Sequence, residues 1–289
     1  MLTANEHFKA RFGCKMYKAS ISFAHTCPNR DGTKGTGGCI FCSAGGSGEF
    51  ASCVEKSITE QIGEAISRVE KKAGPGAGYI AYFQSFTNTY CSPEKLAAAM
   101  DEAISHPRVK AVSVATRPDC LPESIVEVIS ERTSKIPVYV ELGLQTSNDE
   151  TAKLINRCYE TREYDEAVRR LKEAGVNVIT HVIFGLPEEP EEQMLESVRH
   201  CVSAGTDGIK FTCLYVLKDT VLERMWRAGE FEVLGQEEYF DIVEKAIGLL
   251  PPDTVIHRLT GDGPKKLLLA PMWTADKRGV INYINRRFA

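Results

Sequence analysis

"VYVELGLQTSNDETAKLINRCYETREYDEAVRRLKEAGVNVITHVIFG", residues 138–185, holds the pattern on which the fold turns. It opens and closes on short runs rich in β-branched residues, as strands do. Between them Tyr164, Ala167, Val168 and Leu171 fall on one helical face. Thr161 starts that helix, and Gly175 stops it in the left-handed conformation that a residue without a Cβ tolerates. The same strand–helix alternation extends in both directions. Strand candidates are 15–23, 78–84, 110–116, 138–145, 176–185 and 208–217. Ser92-Pro93 predicts a helix start, with Ser as N-cap and Pro at the first helical position. The acidic run 188–193, "EEPEEQ", suits a helix N-terminus, where the macrodipole favours negative charge.

Six such units with strands this apolar predict a parallel sheet covered by helices. An open doubly wound sheet and a barrel, complete or partial, both satisfy the pattern. Polar residues gather at the strand C-terminal ends: Gln84, Thr116-Arg117, Glu141 to Gln145, and His181 just before Gly185. In a β/α barrel that rim carries the chemistry. Residues after about 233 read as a helix (236–250), a short strand (253–258) and a polar tail, an extension packed on the sheet.

The chain has 289 residues, 43% of them hydrophobic, enough for one large domain or two small ones. It has no apolar run of about 18 residues, so no membrane helix is expected. Its first residues lack the basic end and apolar stretch of a secretory signal, so a cytoplasmic location is expected. Ten cysteines in such a protein point to metal or redox use rather than disulfides. Net charge is −4, but residues 1–34 and 250–289 each carry +4, leaving −12 between them. Two basic ends make one nucleic-acid surface if they meet in space, and ordinary solvated charge if they do not.

Three cysteines stand in "CPNRDGTKGTGGCIFC", residues 27–42, separated by eleven residues and then two. A structural zinc site closes four ligands, and a four-iron cluster also usually takes four thiolates. Cys27, Cys39 and Cys42 supply three; His25 has no common zinc spacing to Cys27, and Cys53 is distant. With three thiolates, one iron of a cluster keeps an open position for a ligand. Gly32, Gly35, Gly37 and Gly38 let the backbone wrap a bulky inorganic body. Zinc remains the other reading of the residues alone.

The chain resembles the radical S-adenosylmethionine (SAM) superfamily, whose three-cysteine motif usually ends in Cys-x-aromatic-Cys, as Cys39-Ile40-Phe41-Cys42 does. The spacing of eleven departs from the common three and points to a narrower group. "TCPNRDGTKGTGGCIFC", "GSGEFA", "YFQSFTNTY", "TRPDCL", "ELGLQT", "HVIFGLPEE" and "HRLTGDGPKKLLLAPMW" resemble the bacterial YhcC/YtqA family, related to the radical domain of the elongator catalytic subunit. The resemblance covers roughly residues 6 to 285. It implies an α/β fold, a partial (β/α)6 TIM-type barrel of parallel strands over 1–233, with cluster loop 27–42 and a small C-terminal extension over 234–289. It also implies a [4Fe-4S] cluster on Cys27, Cys39 and Cys42, with SAM at the open iron. One electron would cleave SAM to methionine and a 5′-deoxyadenosyl radical, which takes a hydrogen from an unreactive C–H bond. A flavodoxin- or ferredoxin-type protein would supply the electron.

Site residues follow by position. Phe41 would lie near the SAM adenine, or simply pack. Gln84 and Ser85 stand where the superfamily contacts the SAM amine, usually with Gly and Glu; Asn88 beside them is a substrate candidate. Glu141 suits the ribose hydroxyls, with Gln145 a second candidate; a buried pair with Arg117 or Lys210 is the structural alternative. Arg157 or Arg117 could bind the SAM carboxylate bidentately, or form a structural ion pair, and Arg117 is also a substrate candidate. Relatives often have Gly-His after "NR" where this chain has Cys158-Tyr159, so any function of that His is absent. His181 is a substrate, proton-transfer or satisfied core residue, and Gly185 admits close backbone approach to adenine. Lys210, on the sixth strand, and Lys265 and Lys266, in the tail, are substrate candidates. The remaining cysteines form no second Cys-x-x-Cys and read as buried thiols, with Cys91 and Cys120 nearest the rim motifs.

Three functions are compatible with this reading. One is a radical SAM enzyme acting on tRNA, converting a wobble-uridine carboxymethylaminomethyl side chain to aminomethyl, as YtqA-type members imply. Another is a radical enzyme for a small metabolite or protein. The third is a zinc-binding RNA module without catalysis.

Overall fold

The computed structural model describes residues 1–46, 48, 51, 54–261 and 263–288. Its strands are β1 (Leu2–Thr3), β2 (Met16–Ile21), β3 (Gly78–Phe83), β4 (Val109–Thr116), β5 (Val138–Gln145), β6 (Asn177–Phe184), β7 (Gly208–Cys213), β8 (Val216–Leu217), β9 (Val255–Arg258) and β10 (Leu268–Ala270). Its α-helices are α1 (Ala4–Phe12), α2 (Ile58–Ala73), α3 (Pro93–Ser105), α4 (Glu123–Thr133), α5 (Asp149–Leu154), α6 (Thr161–Glu173), α7 (Glu191–Ala204), α8 (Val221–Arg227), α9 (Gln236–Gly248) and α10 (Lys277–Arg287).

Local chemistry sets many of these boundaries. Ser92 caps α3 by accepting from the Lys95 amide, with Pro93 at the first turn. In α6, Tyr164, Ala167, Val168 and Leu171 are all fully buried, and Gly175 beyond its end takes φ +72°. Glu191 and Glu192 occupy the first turn of α7, where they complement the positive end of the dipole.

Eight strands form one parallel sheet in the order β1-β9-β7-β6-β5-β4-β3-β2. It is a curled half-barrel, and it is longer than the six strands expected. Strand β9, from the region read as an extension, pairs in parallel with β7, and β1 pairs beyond it. The expected strand 208–217 divides after Cys213: β7 stays in the sheet, while β8 turns away to pair antiparallel with β10.

A cross-sheet contact demonstrates the curl. Strands β2 and β5 are three spacings apart, about 14 Å in a flat sheet, yet Lys18 Nζ of β2 lies 2.5 Å from Glu141 Oε1 of β5. Val138, Val140, Leu142 and Leu144 of β5 face the convex side and join the main core with α2, α3, α4, α6, α7 and α9. The alternate residues face the concave side. Its lower end is plugged by α1, whose Phe8 packs with Ile80, Ala111, Tyr139 and Ile179. The rim at the strand C-terminal ends, opposite this plug, carries the cysteine loop.

Candidate active site

The cysteine loop is built from turns that its glycines permit. The Cys27 carbonyl accepts from Arg30 N, the Pro28 carbonyl from Lys34 N, and the Asn29 carbonyl from Gly38 N. Gly37 and Gly38 take φ +79° and +81°. At Gly35 the constraint is space: a Cβ there would stand 2.4 Å from Asn29 Oδ1 and 2.8 Å from Cys158 Sγ. A turn from Cys42 N to the Cys39 carbonyl, 2.9 Å, closes the loop's end.

The loop is clamped to the segment after β5. Asn156 Nδ2 donates to the Gly38 carbonyl at 2.8 Å and the Thr36 carbonyl at 3.2 Å. Asn29 Nδ2 donates to the Asn156 carbonyl and lies 3.7 Å from Cys39 Sγ. Sequence reading passed over both asparagines. The only signal was the Asn of "NRCY", a residue type that tolerates the left-handed backbone Asn156 adopts, φ +54°.

The three thiols fit the cluster by their chemistry. Burial pushes Cys39 up to about 12, with the charges of Cys42 and Cys27 adding to it and Arg117 opposing. Such a thiol stays protonated unless a cation replaces the proton, as metal binding does. Asn29 Oδ1, buried beside it, has no hydrogen-bond partner. Among the described residues, no three His, Cys, Asp or Glu side chains close on a point suited to one metal ion; three soft sulfur donors suit iron–sulfur ligation. Cys53 lies outside the described residues.

Arg117 stands close enough to Cys27 and Cys39 to interact with both charges. It is held by Asp119 through two 2.9 Å bonds, and Lys34 Nζ meets the same carboxylate at 2.9 Å. Burial disfavours the guanidinium cation, but Asp119 outweighs it and holds Arg117 above its ordinary value. Arg117 is thus part of the cluster's surroundings, and the expected pair with Glu141 is not formed.

Glu141 sits on the concave wall at the centre of a buried network. Its Oε1 takes Lys18 Nζ at 2.5 Å and accepts from Ser113 Oγ at 2.7 Å. Its Oε2 takes His181 Nε2 at 2.9 Å and Lys210 Nζ. Burial alone would raise the carboxyl, but Lys18 and Lys210 hold it well below the ordinary range. Burial and the Lys210 charge push His181 down to about 4, with Glu141 opposing, so the ring is neutral at pH 7. An ionised carboxylate only accepts, so His181 carries its proton on Nε2 and keeps Nδ1 as an acceptor. The expected partner Lys210 is present, and Lys18 was not foreseen. With both oxygens engaged, a ribose contact would have to displace one of these bonds.

Several expected contacts are turned inward. Arg157 is fully buried and uses all five N–H donors, on the carbonyls of Leu144, Thr146 and Tyr159, on Asp149 Oδ1 and on Thr161 Oγ1. It pins the loop after β5, and no donor is left for the SAM carboxylate expected there. Asn88 likewise ties β3 to β4, donating to the Phe83 and Ala115 carbonyls and accepting from Ala24 N, in place of the expected substrate contact. Gln145, at φ +65°, folds back over Gly143, where a Cβ would meet its Nε2 at 2.4 Å.

Other expected residues do lie at the rim. Ser85 bonds Ser22 Oγ at 2.8 Å and, with His25 and Gly48, lines a cavity of about 350 Å³ beside the end of the cysteine loop. Gln84 continues from β3, its amide on the Ile21 carbonyl. Phe41 packs partly buried against Ile40, Ile155 and Leu186. Gly185 takes φ +87° under Leu234. Lys265 and Lys266 are exposed. A cavity of about 630 Å³ lies beside the cysteine loop and is lined by Pro28, Lys34, Cys91 and Cys120 among others. Burial raises both of those thiols, Cys120 to about 12; Cys120 is buried as expected, whereas Cys91 is only half-buried.

A parallel half-barrel with a three-cysteine loop at its C-terminal rim defines a radical SAM enzyme. The chain belongs to that superfamily: residues 21–201 match the Radical SAM superfamily and residues 206–289 the Radical_SAM C-terminal domain. Within it the chain belongs to the YhcC/YtqA family. It is 39% identical to YtqA of Bacillus subtilis (strain 168) over 284 residues, 98% of this chain and 88% of that one. It is 32% identical to YhcC of Escherichia coli (strain K12) over 268 residues, 92% and 85% of the two chains. The structure of Elp3 from the archaeon Methanocaldococcus infernus shares the fold, with TM-score 0.68 at 19% identity over 94% of this chain and 63% of that one. The cofactors are a [4Fe-4S] cluster and SAM. No helix of the described residues is long and apolar enough to cross a membrane.

Proposed function

We propose that this enzyme modifies tRNA, converting the carboxymethylaminomethyl side chain of a wobble uridine to aminomethyl. The observation that carries the reading is the basic edge on the rim. Strand β9 runs parallel to its neighbours; its last residue, Arg258, stands beside Lys210 below the rim, and the segment that follows it rises toward the rim that carries the cysteine loop. The segment after it crosses the end of β7, where a Cβ on Gly261 would stand 2.3 Å from Tyr215 Oη and 3.0 Å from Thr212 Cγ2. It then presents exposed Lys265 and Lys266. A cationic edge beside a concave mouth suits a single-stranded loop with a flipped-out base. The two termini contribute unequally. Strands β1 and β9 do adjoin, but Arg287 is taken up by Asp241 and Glu244 at 2.6 Å each. Similarity to Elongator complex protein 3, 28% over 162 residues for the Drosophila melanogaster protein, agrees with the reading.

When bound, the cluster and SAM supply a one-electron route to a hydrogen-abstracting carbon radical. The chain's own part is placement. Cys27, Cys39 and Cys42 hold the cluster, and Asn29 and Asn156 fix its loop. The concave wall receives the substrate side chain away from bulk water. A flavodoxin- or ferredoxin-type donor and a cytoplasmic location complete the proposal.

The test is anaerobic. Protein reconstituted with iron and sulfide is given dithionite and SAM, and 5′-deoxyadenosine is followed with and without bulk bacterial tRNA. Stimulation by tRNA supports the reading. Formation indifferent to tRNA sends the search to small molecules or proteins.

A further inference from the structure

Among the described residues, the concave wall carries more basic than acidic side chains. Lys18 and Lys210 share one carboxylate, Glu141, each through a single bond. Both ammonium groups also lie against the Tyr82 ring, at 3.8 and 5.0 Å from its centroid. Arg258 lies close enough to act on Tyr82, His181 and Lys210. It makes no ion pair and no side-chain hydrogen bond among the described residues and is exposed. His181 is neutral, so among the described residues three basic side chains, Lys18, Lys210 and Arg258, stand around one carboxylate, Glu141.

This imbalance is costly unless something completes it. Burial disfavours a charged Lys210, and Lys18 and Arg258 add to the penalty; Glu141 opposes them, yet the amine is held well below its ordinary value. A second anion at this wall would favour the charged form of the amine. The wall is also reachable: the side chains of Lys18 and His181 are 29% and 26% exposed, although Glu141 is sealed. A planar anion lying between Lys18, Lys210 and Arg258 would take the unused ammonium donors and the fork of the guanidinium, the arrangement in which arginine binds carboxylates best.

We infer that the wall formed by Lys18, Lys210 and Arg258 is a subsite for a carboxylate of the substrate. Its place in the reaction rests on the proposed function, in which the side chain to be shortened ends in a carboxylate. Its ligand chemistry rests on the charges of the wall alone. The subsite lies below the rim, so a side chain held there extends past the cysteine loop into the barrel. Glu141 keeps the lysines apart and in register, and Ser113 and His181 fix Glu141.

The probe is N-methylglycine labelled with 13C at the carboxylate, added to cluster-loaded protein. Broadening of its carboxylate resonance is expected, with none for labelled methylamine. Arg258→Gln, at an exposed position, should keep the fold and weaken binding about tenfold, the loss of one charge-assisted contact. Lys18→Met should act in the same direction. Absence of broadening, or equal affinity in wild type and both variants, overturns the inference. So does displacement of the probe by saturating SAM, which would assign the wall to the SAM carboxylate. In the same preparations, carboxylate binding without tRNA-stimulated 5′-deoxyadenosine sinks the tRNA reading and leaves the subsite standing. Stimulation by tRNA without carboxylate binding does the reverse.

Discussion

Lys18 on β2 and Glu141 on β5, 123 residues apart in the chain, meet at 2.5 Å inside the half-barrel. The contact ties the first long strand to the middle of the sheet across two intervening strands. It couples the curl of the barrel to the charge state of one carboxylate.

Glu141→Gln should therefore be destabilising. It leaves buried Lys210 without its anion, and breaking a buried pair from one side costs about 3–5 kcal/mol. Urea denaturation of the folded variant reads this directly. Lys18→Met should cost less, because Lys18 is partly exposed and Glu141 keeps Lys210. Equal losses for the two would contradict the asymmetry.

The same carboxylate sets an acid limit. The folded pKa of Glu141 is depressed, so its contribution is fully present above the ordinary carboxyl pKa of 4.5 and is lost as pH falls through the folded value. His181 acts at higher pH. Its folded pKa of about 4 lies below the ordinary 6.5, so between these values the unfolded chain binds the proton and the folded chain does not. Stability should decline as pH falls from 6.5 toward 4. His181→Asn should flatten that part of the curve, as measured by thermal unfolding across pH. A slope unchanged in the variant would place the titration elsewhere.

Cys42→Ala should abolish the cluster, seen as loss of its visible absorbance and of bound iron after reconstitution, and all SAM cleavage with it. Retained cleavage would sink the ligand assignment.

Gly35→Ala tests the loop without touching a ligand. Its added methyl meets Asn29 and Cys158 at distances no Cβ tolerates. The expected result is a folded protein that takes up less iron. Cys158→Ala in the same chain should recover part of the loss by opening space on one side.

Lys265 and Lys266 test the basic edge. Changing both to Glu should weaken tRNA binding and make it less sensitive to salt. Each removed phosphate contact lowers the slope of log affinity against log salt by about 0.7 for single strands. Unchanged binding and slope would remove the rim from the RNA surface.

What could be read in the sequence was mostly local. The cap at Ser92, the buried face of α6 and the stop at Gly175 each depend on a few consecutive residues, and the cysteine loop announces itself by spacing. The concave wall was only half legible. Glu141 and Lys210 could be named as a pair, but Lys18 could not. Its partner is fixed by the curl of the sheet, which no short window encodes. Arg157 looked like a ligand for the same reason. A buried arginine that serves five backbone and side-chain acceptors is, in sequence, only a cation near a strand end. The edge of the sheet was misjudged because a strand as short as β9 can lie on a sheet or join it, and parallel pairing with β7 decided that.

The placement of β1 beside β9 also has a meaning for biosynthesis. Strand β1 has no partner until Val255 and Ile256 have been made. Strands β2 to β7 can pair in the order of their synthesis, each beside the one before it. The edge at β9, and the plug that α1 draws in behind β1, must close last. Chains stalled before residue 255 should carry an assembled sheet whose lower end is still open to protease.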